Sequence, residues 1–154
     1  MRKEAISYII EKKPGIGFNE IARESKLSNG VVSHYILQLL KNGEIIKSDG
    51  ARAKYFHHII SKKDRKIIMT VRSETNYKII KFLLSRNVPS RAEEISKAIK
   101  KSRSTITVRL QILQKNKIIE RIILNKTLKL RSDIGYSVID KKYFEMIFSK
   151  YQFE

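Results

Sequence analysis

Ser104, Val108, Gln111 and Lys115 fall four, three and four residues apart in the run SRSTITVRLQILQKNK that opens at Ser102. At about 100° per residue they share one face of a helix, flanked by Thr105 and Thr107. The chemistry on offer is hydrogen bonding and anion attraction, with no nucleophile beside a base. Gln111 carries the donor and acceptor that pair with an adenine edge, and Arg103 and Arg109 suit a phosphate or a guanine. Hydroxyls at Ser102, Ser104, Thr105 and Thr107 suit phosphates or bases. Lys100 and Lys101 stand before the helix, while Arg121, Lys126, Lys129 and Arg131 follow it as candidates for phosphate or minor-groove contact. Arg109, beside the apolar stripe, could equally brace the helix against Glu93 or Glu94.

Other chemistries find little support. There are no cysteines, which excludes disulfides, thiolate metal sites and cysteine nucleophiles. His57 and His58 adjoin in what reads as a strand, so their side chains are expected on opposite faces and not on one metal ion. Lys13-Pro14-Gly15-Ile16-Gly17 lacks the terminal Lys-Ser/Thr of a phosphate-cradling loop and reads as a turn. Glu93 and Glu94, consecutive on a helix, diverge. No catalytic constellation, metal site or cofactor site emerges, and the expectation is a protein that is not an enzyme.

Charge points the same way. Lys and Arg number 33 against 15 Asp and Glu, a net +18, which favours a polyanionic partner. Residues 1–60 hold 10 basic and 6 acidic side chains and residues 61–154 hold 23 and 9, so the excess lies in the second half. From Lys97 to Arg131 the sole acid among eleven bases is Glu120. No apolar run approaches the roughly 18 residues needed to span a bilayer, and residues 1–13 do not resemble a signal peptide. A soluble, cytoplasmic protein with no membrane partner is expected.

The elements that hold these residues are legible in the hydrophobic spacing. Ala5, Ile6, Ile9 and Ile10 predict a helix ending before Pro14, and Phe18, Ile21 and Ala22 a short second one. Ser28 or Asn29 caps a third, carrying Val32, Ile36, Leu39 and Leu40 and stopped at Asn42-Gly43. Ile45–Lys47 and Ala51–Ile60 read as a hairpin. The pattern recurs at a constant offset of 74 residues: Ile6 with Ile80, Ile21 with Ile95, Ser28 with Ser102, Val32 with Ile106, Ile36 with Leu110, Leu39 with Leu113. After Asn42 the register is expected to slip by one, leaving Gly43 without a counterpart and aligning Ile45-Ile46 with Ile118-Ile119. The organisation is therefore a first domain at 1–60, a linker at 61–72, a second domain at 73–140 and a C-terminal helix at 141–154. Ser73 and Asp140 are candidate caps. Asp64 to Val71 reads equally as a strand or an early helical turn. Tyr143, Phe144, Ile147, Phe148 and Tyr151 give the last helix an aromatic face for packing or for a homodimer.

EEISKAIKKSRSTITVRLQILQKNKII, with Ile95 set before Ser102 and Ile106 and Leu110 below it, resembles the MarR- and ArsR-type winged helix-turn-helix regulators. NEIARESKLSNGVVSHYILQLLKNGEII is similar to them through Ile21, Ser28, Val32 and Ile36. The resemblance implies a mainly α fold with small β wings (α+β), two tandem winged helix-turn-helix domains, and an archaeal kind of regulator. It implies a third helix in the major groove of double-stranded DNA and a wing on an adjacent groove or backbone. The first copy's outward face, with Gly30, Ser33, His34, Leu37 and Lys41, is less basic, so it reads as a weaker DNA reader or a surface for a protein partner. Ser33 and His34, with Arg52 and Lys54 near the wing, are its DNA-contact candidates. The rival readings are a basal transcription or replication-initiation component built from the same tandem domains, and an RNA-binding protein.

Overall fold

The structure, a computed structural model, describes residues 1–125 and 133–154. It is an α+β protein: among the described residues eight helices are combined with two small antiparallel sheets. The chain divides into two compact units, residues 1–69 with 148–154, and residues 70–147.

In the first unit, α1 (Arg2–Lys12) leads into the two-residue strand β1 (Ile16–Gly17), then α2 (Phe18–Ser25) and α3 (Asn29–Lys41). Strands β2 (Ile45–Lys47) and β3 (Lys54–His57) close it as a hairpin, with β1 on the far side of β3. Ile6, Ile10, Ile16, Ile21, Val32, Ile36, Leu39, Ile45 and Tyr55 form one buried cluster. Burial pushes the Tyr55 phenol up from its ordinary pKa. Ser28 caps α3 by accepting from the Val31 N–H at 3.4 Å. The 61–72 stretch, expected as a linker, contains a helix of its own, α4 (Lys62–Val71), and Ser61 accepts from the Asp64 N–H at its start.

The second unit repeats the order. α5 (Glu74–Leu84), α6 (Ala92–Ile99) and α7 (Arg103–Lys115) precede the hairpin β4 (Ile119–Ile123) and β5 (Ile134–Val138). Ser90 forms an antiparallel bridge with Tyr136, as Ile16 of β1 does with Tyr55. Gly135 lies where this crossing is tightest: a Cβ there would come within 2.7 Å of Pro89. Ile95, Ile106, Leu110, Leu113 and Ile119 are buried at the positions matching Ile21, Val32, Ile36, Leu39 and Ile45. Asp140 caps α8 (Lys141–Lys150) by accepting from the Tyr143 N–H. Ser73 occupies the N-cap position of α5 yet makes no capping hydrogen bond. The aromatic stripe of α8 is largely covered within one chain, with Phe144 and Ile147 buried and Tyr143 and Phe148 half-buried. Helix α8 stops at Lys150 and does not run to Phe153, because the Gln152 N–H turns to the Lys12 carbonyl at 2.8 Å.

Three expectations are corrected. The register does not slip after Asn42. Gly43 and Lys117 match, both left-handed at φ 71° and 58°, and each N–H closes the same turn, onto Leu40 at 3.1 Å and Gln114 at 3.0 Å. Ile45 therefore pairs with Ile119, each opening its strand. In the first helices the buried residues Ile6 and Ile10 have their counterparts in Ile79 and Leu83, an offset of 73, because the following turn is longer in the second unit. Finally, the rings of His57 and His58 lie 4.7 Å apart, since β3 ends at His57 and the pleat that would separate them ends with it.

A left-handed lysine carries a Cβ penalty that glycine escapes. Lys117→Gly is expected to stabilise the protein by about 0.5–1 kcal/mol, read as a higher urea midpoint with an unchanged slope.

Candidate nucleic-acid interface

Helix α7 owes its orientation to Ile106, Leu110 and Leu113, which turn inward and leave Arg103, Ser104, Thr107, Val108, Gln111 and Lys115 exposed. Thr105 and Arg109 are half-buried on its flanks. The hydroxyls are not equivalent. Ser102 Oγ accepts from the Thr105 N–H at 3.2 Å and lies 3.1 Å from Ser104 Oγ and 2.9 Å from Thr105 Oγ1, so it belongs to the cap. Thr107 Oγ1 donates to the Arg103 carbonyl at 2.9 Å, which uses its proton within the helix. Gln111 makes no side-chain hydrogen bond among the described residues and keeps both its donor and its acceptor.

The basic residues separate into two groups. Arg86 meets Glu94 at 3.0 Å, Arg91 meets Asp133 at 3.4 Å, and Lys97 meets Glu93 at 3.4 Å. Those charges are neutralised along α6 and the base of the hairpin. Lys100, Lys101, Arg103, Arg109, Lys115, Lys117 and Arg121, in contrast, make no ion pair among the described residues. The carboxylates that Arg109 might have braced against are therefore held by other partners. Lys100 sits at φ 61° in the turn between α6 and α7, as Lys26 does at φ 58° between α2 and α3. Lys117, overlooked in the sequence because Gly43 seemed unmatched, joins the exposed cations at the far end of α7. Arg121 is exposed on β4, opposite Tyr136. Lys126, Lys129 and Arg131 lie outside the described residues.

On the first unit, Ser33, His34, Leu37 and Lys41 are exposed along α3. His34 Nε2 lies 3.4 Å from Gln38 Nε2, one turn on. Arg52 is exposed in the hairpin turn and Lys54 half-buried on β3. This surface carries fewer cations than its counterpart. Elsewhere, Lys78 donates to Glu74 at 2.8 Å and holds that carboxyl below its ordinary pKa. An open groove of about 310 Å³ on the first unit is lined by Lys3, Glu4, Ser7, Tyr8, Glu11, Leu39 and Glu44. Among the described residues no three His, Asp or Glu side chains gather as a metal site, and no helix is long and apolar enough to cross a membrane.

Residues 1–68 match a family model described as an N-terminal HTH domain. The first unit thus contains a helix-turn-helix domain, a fold that binds DNA. No curated protein matches the chain. Among solved structures it is similar to the DIP2311 protein from Corynebacterium diphtheriae, at 13% identity and a TM-score of 0.34, over 90% of this chain and 26% of that one. It is also similar to ScpB from Mycobacterium tuberculosis, at 7% identity and a TM-score of 0.37, over 95% of this chain and 94% of that one. The chain spans about a quarter of the length of the first of these, and at such scores neither bears on function.

Removing the cap should be distinguishable from removing an exposed hydroxyl. Ser102→Ala is expected to cost about 1 kcal/mol of stability, whereas Ser104→Ala should change it by less than about 0.5 kcal/mol, both measured by equilibrium denaturation.

Proposed function

We propose that this chain is a sequence-specific transcription regulator that binds duplex DNA through two winged helix-turn-helix modules, in the cytoplasm and on the nucleoid. Helix α7 enters the major groove, with Gln111 and Ser104 towards base edges. Arg103, Lys100 and Lys101 contact phosphates at the start of that helix, and Lys115 and Lys117 do so at its end. The hairpin of β4 and β5 carries Arg121 onto the backbone or an adjacent groove. The first module contacts duplex DNA through Ser33, His34, Arg52 and Lys54 and contributes less of the electrostatic affinity.

The observation that carries this reading is the set of cations around one outward helix face, Lys100, Arg103, Lys115 and Lys117 exposed among them, that form no ion pair among the described residues. A solvated surface tends to intersperse both signs, as around α6, where Glu93 and Glu94 pair with Lys97, Arg86 and Arg91. The family match over the other half of the chain supports the same ligand class independently. Single-stranded nucleic acid fits less well, because the exposed residues of α7 include no aromatic ring on which a base could stack.

Arg103→Ala and Arg121→Ala should each weaken duplex binding and lower the slope of log affinity against log salt by about 0.9, the share of one phosphate contact. Fluorescence anisotropy across a salt series measures both quantities. An unchanged slope in both variants would refute the placement, and stronger competition by RNA than by duplex DNA would refute the ligand class.

A further inference from the structure

Val108 is 53% exposed at the centre of the outward face of α7, with Ser104 one turn before it and Gln111 nearly one turn after. A lone exposed apolar residue is ordinary on a protein surface. This one stands among hydrogen-bonding side chains, on the face the proposed function turns towards DNA. Helix propensity does not account for it, because a β-branched residue forms helix less readily than alanine. Core packing does not account for it either, because the stripe of Ile106, Leu110 and Leu113 faces the other way.

Among the donors and acceptors of the unmodified major groove there is one apolar group, the C5-methyl of thymine. Valine is stiff at χ1 and holds its two methyls in a fixed direction, which suits it to meet that group. Gln111 lies about 4.5 Å further along the helix axis, comparable to a base-pair step of about 3.4 Å. We propose that Val108 is a specificity-determining residue that packs on a thymine methyl while Gln111 pairs with an adenine on a neighbouring base pair. The chain thereby selects duplex sites with a thymine and an adenine at adjoining positions. This rests on the duplex-binding reading and deepens it. The matching positions of α3 carry His34 and Leu37, so the polar and apolar groups come in the opposite order and the two helices read different sequences.

The test begins with duplexes recovered by the full chain from a pool of random sequence. Each thymine of a recovered site is then replaced in turn by deoxyuridine, which removes the methyl and preserves pairing. The wild-type protein is expected to lose about fourfold in affinity at one such position, the worth of one buried methyl group. Val108→Ala, which keeps a good helix former at an exposed site, should bind the parent duplex about fourfold more weakly and respond to that replacement by less than about twofold. If no thymine is sensitive, or if Val108→Ala keeps the full sensitivity, the methyl contact is overturned while duplex binding stands. If no duplex is enriched and binding is insensitive to salt, the duplex reading fails and this contact fails with it.

Discussion

Burial of Ile106, Leu110 and Leu113 decides which way α7 faces, and the rest of the second unit follows from that. Three large apolar side chains at spacings of four and three cover one side of a thirteen-residue helix, and each contributes roughly 1.5–3 kcal/mol when fully removed from water. With that side fixed inward, no rotation is available that would bury Ser104, Gln111 or Lys115. The left-handed turn at Lys100 and the cap at Ser102 then set where the helix begins. The direction in which the outward face points is thus set before any ligand arrives, whereas the exposed Gln111 and Lys115 side chains still lose rotamer freedom when they are ordered on binding.

The two units show what that constraint preserves and what it leaves open. Ser28 and Ser102, Lys26 and Lys100, and Gly43 and Lys117 hold equivalent backbone positions, because a shift at any of them would rotate or displace the helix between. The outward positions are not bound in this way. His34 and Val108, or Leu37 and Gln111, differ completely with the scaffold intact. Charge diverges likewise, and carboxylates on α6 neutralise only the arginines and lysine that do not surround α7.

Much of this could be read from residue types alone. Caps, apolar spacing and the repeat located the three helices and the outward face, because burial periodicity is a local property of a helix. The match of Gly43 with Lys117 was hidden, since glycine advertises a left-handed conformation and lysine does not. The pairing of Arg91 with Asp133 joins residues 42 positions apart and depends on the hairpin register. The engagement of Thr107 with the Arg103 carbonyl is a choice of rotamer, and so is invisible in spacing. His57 and His58 misled because the strand ends at His57, three residues before Ile60, to which its β-forming neighbours suggested it would run.

The hairpins add a different kind of freedom. Between β2 and β3 lie residues 48–53, whereas between β4 and β5 lie residues 124–133. Both hairpins start from the same point beyond the third helix and return to the same bridge with the segment before the second. Helices, caps and core hold equivalent positions in both units despite that difference in length, as expected when each doubling of a connection adds only about 0.6 kcal/mol to the entropy of closing it. The strand-to-strand connection is therefore where the two halves can differ in length while the elements on either side keep equivalent positions.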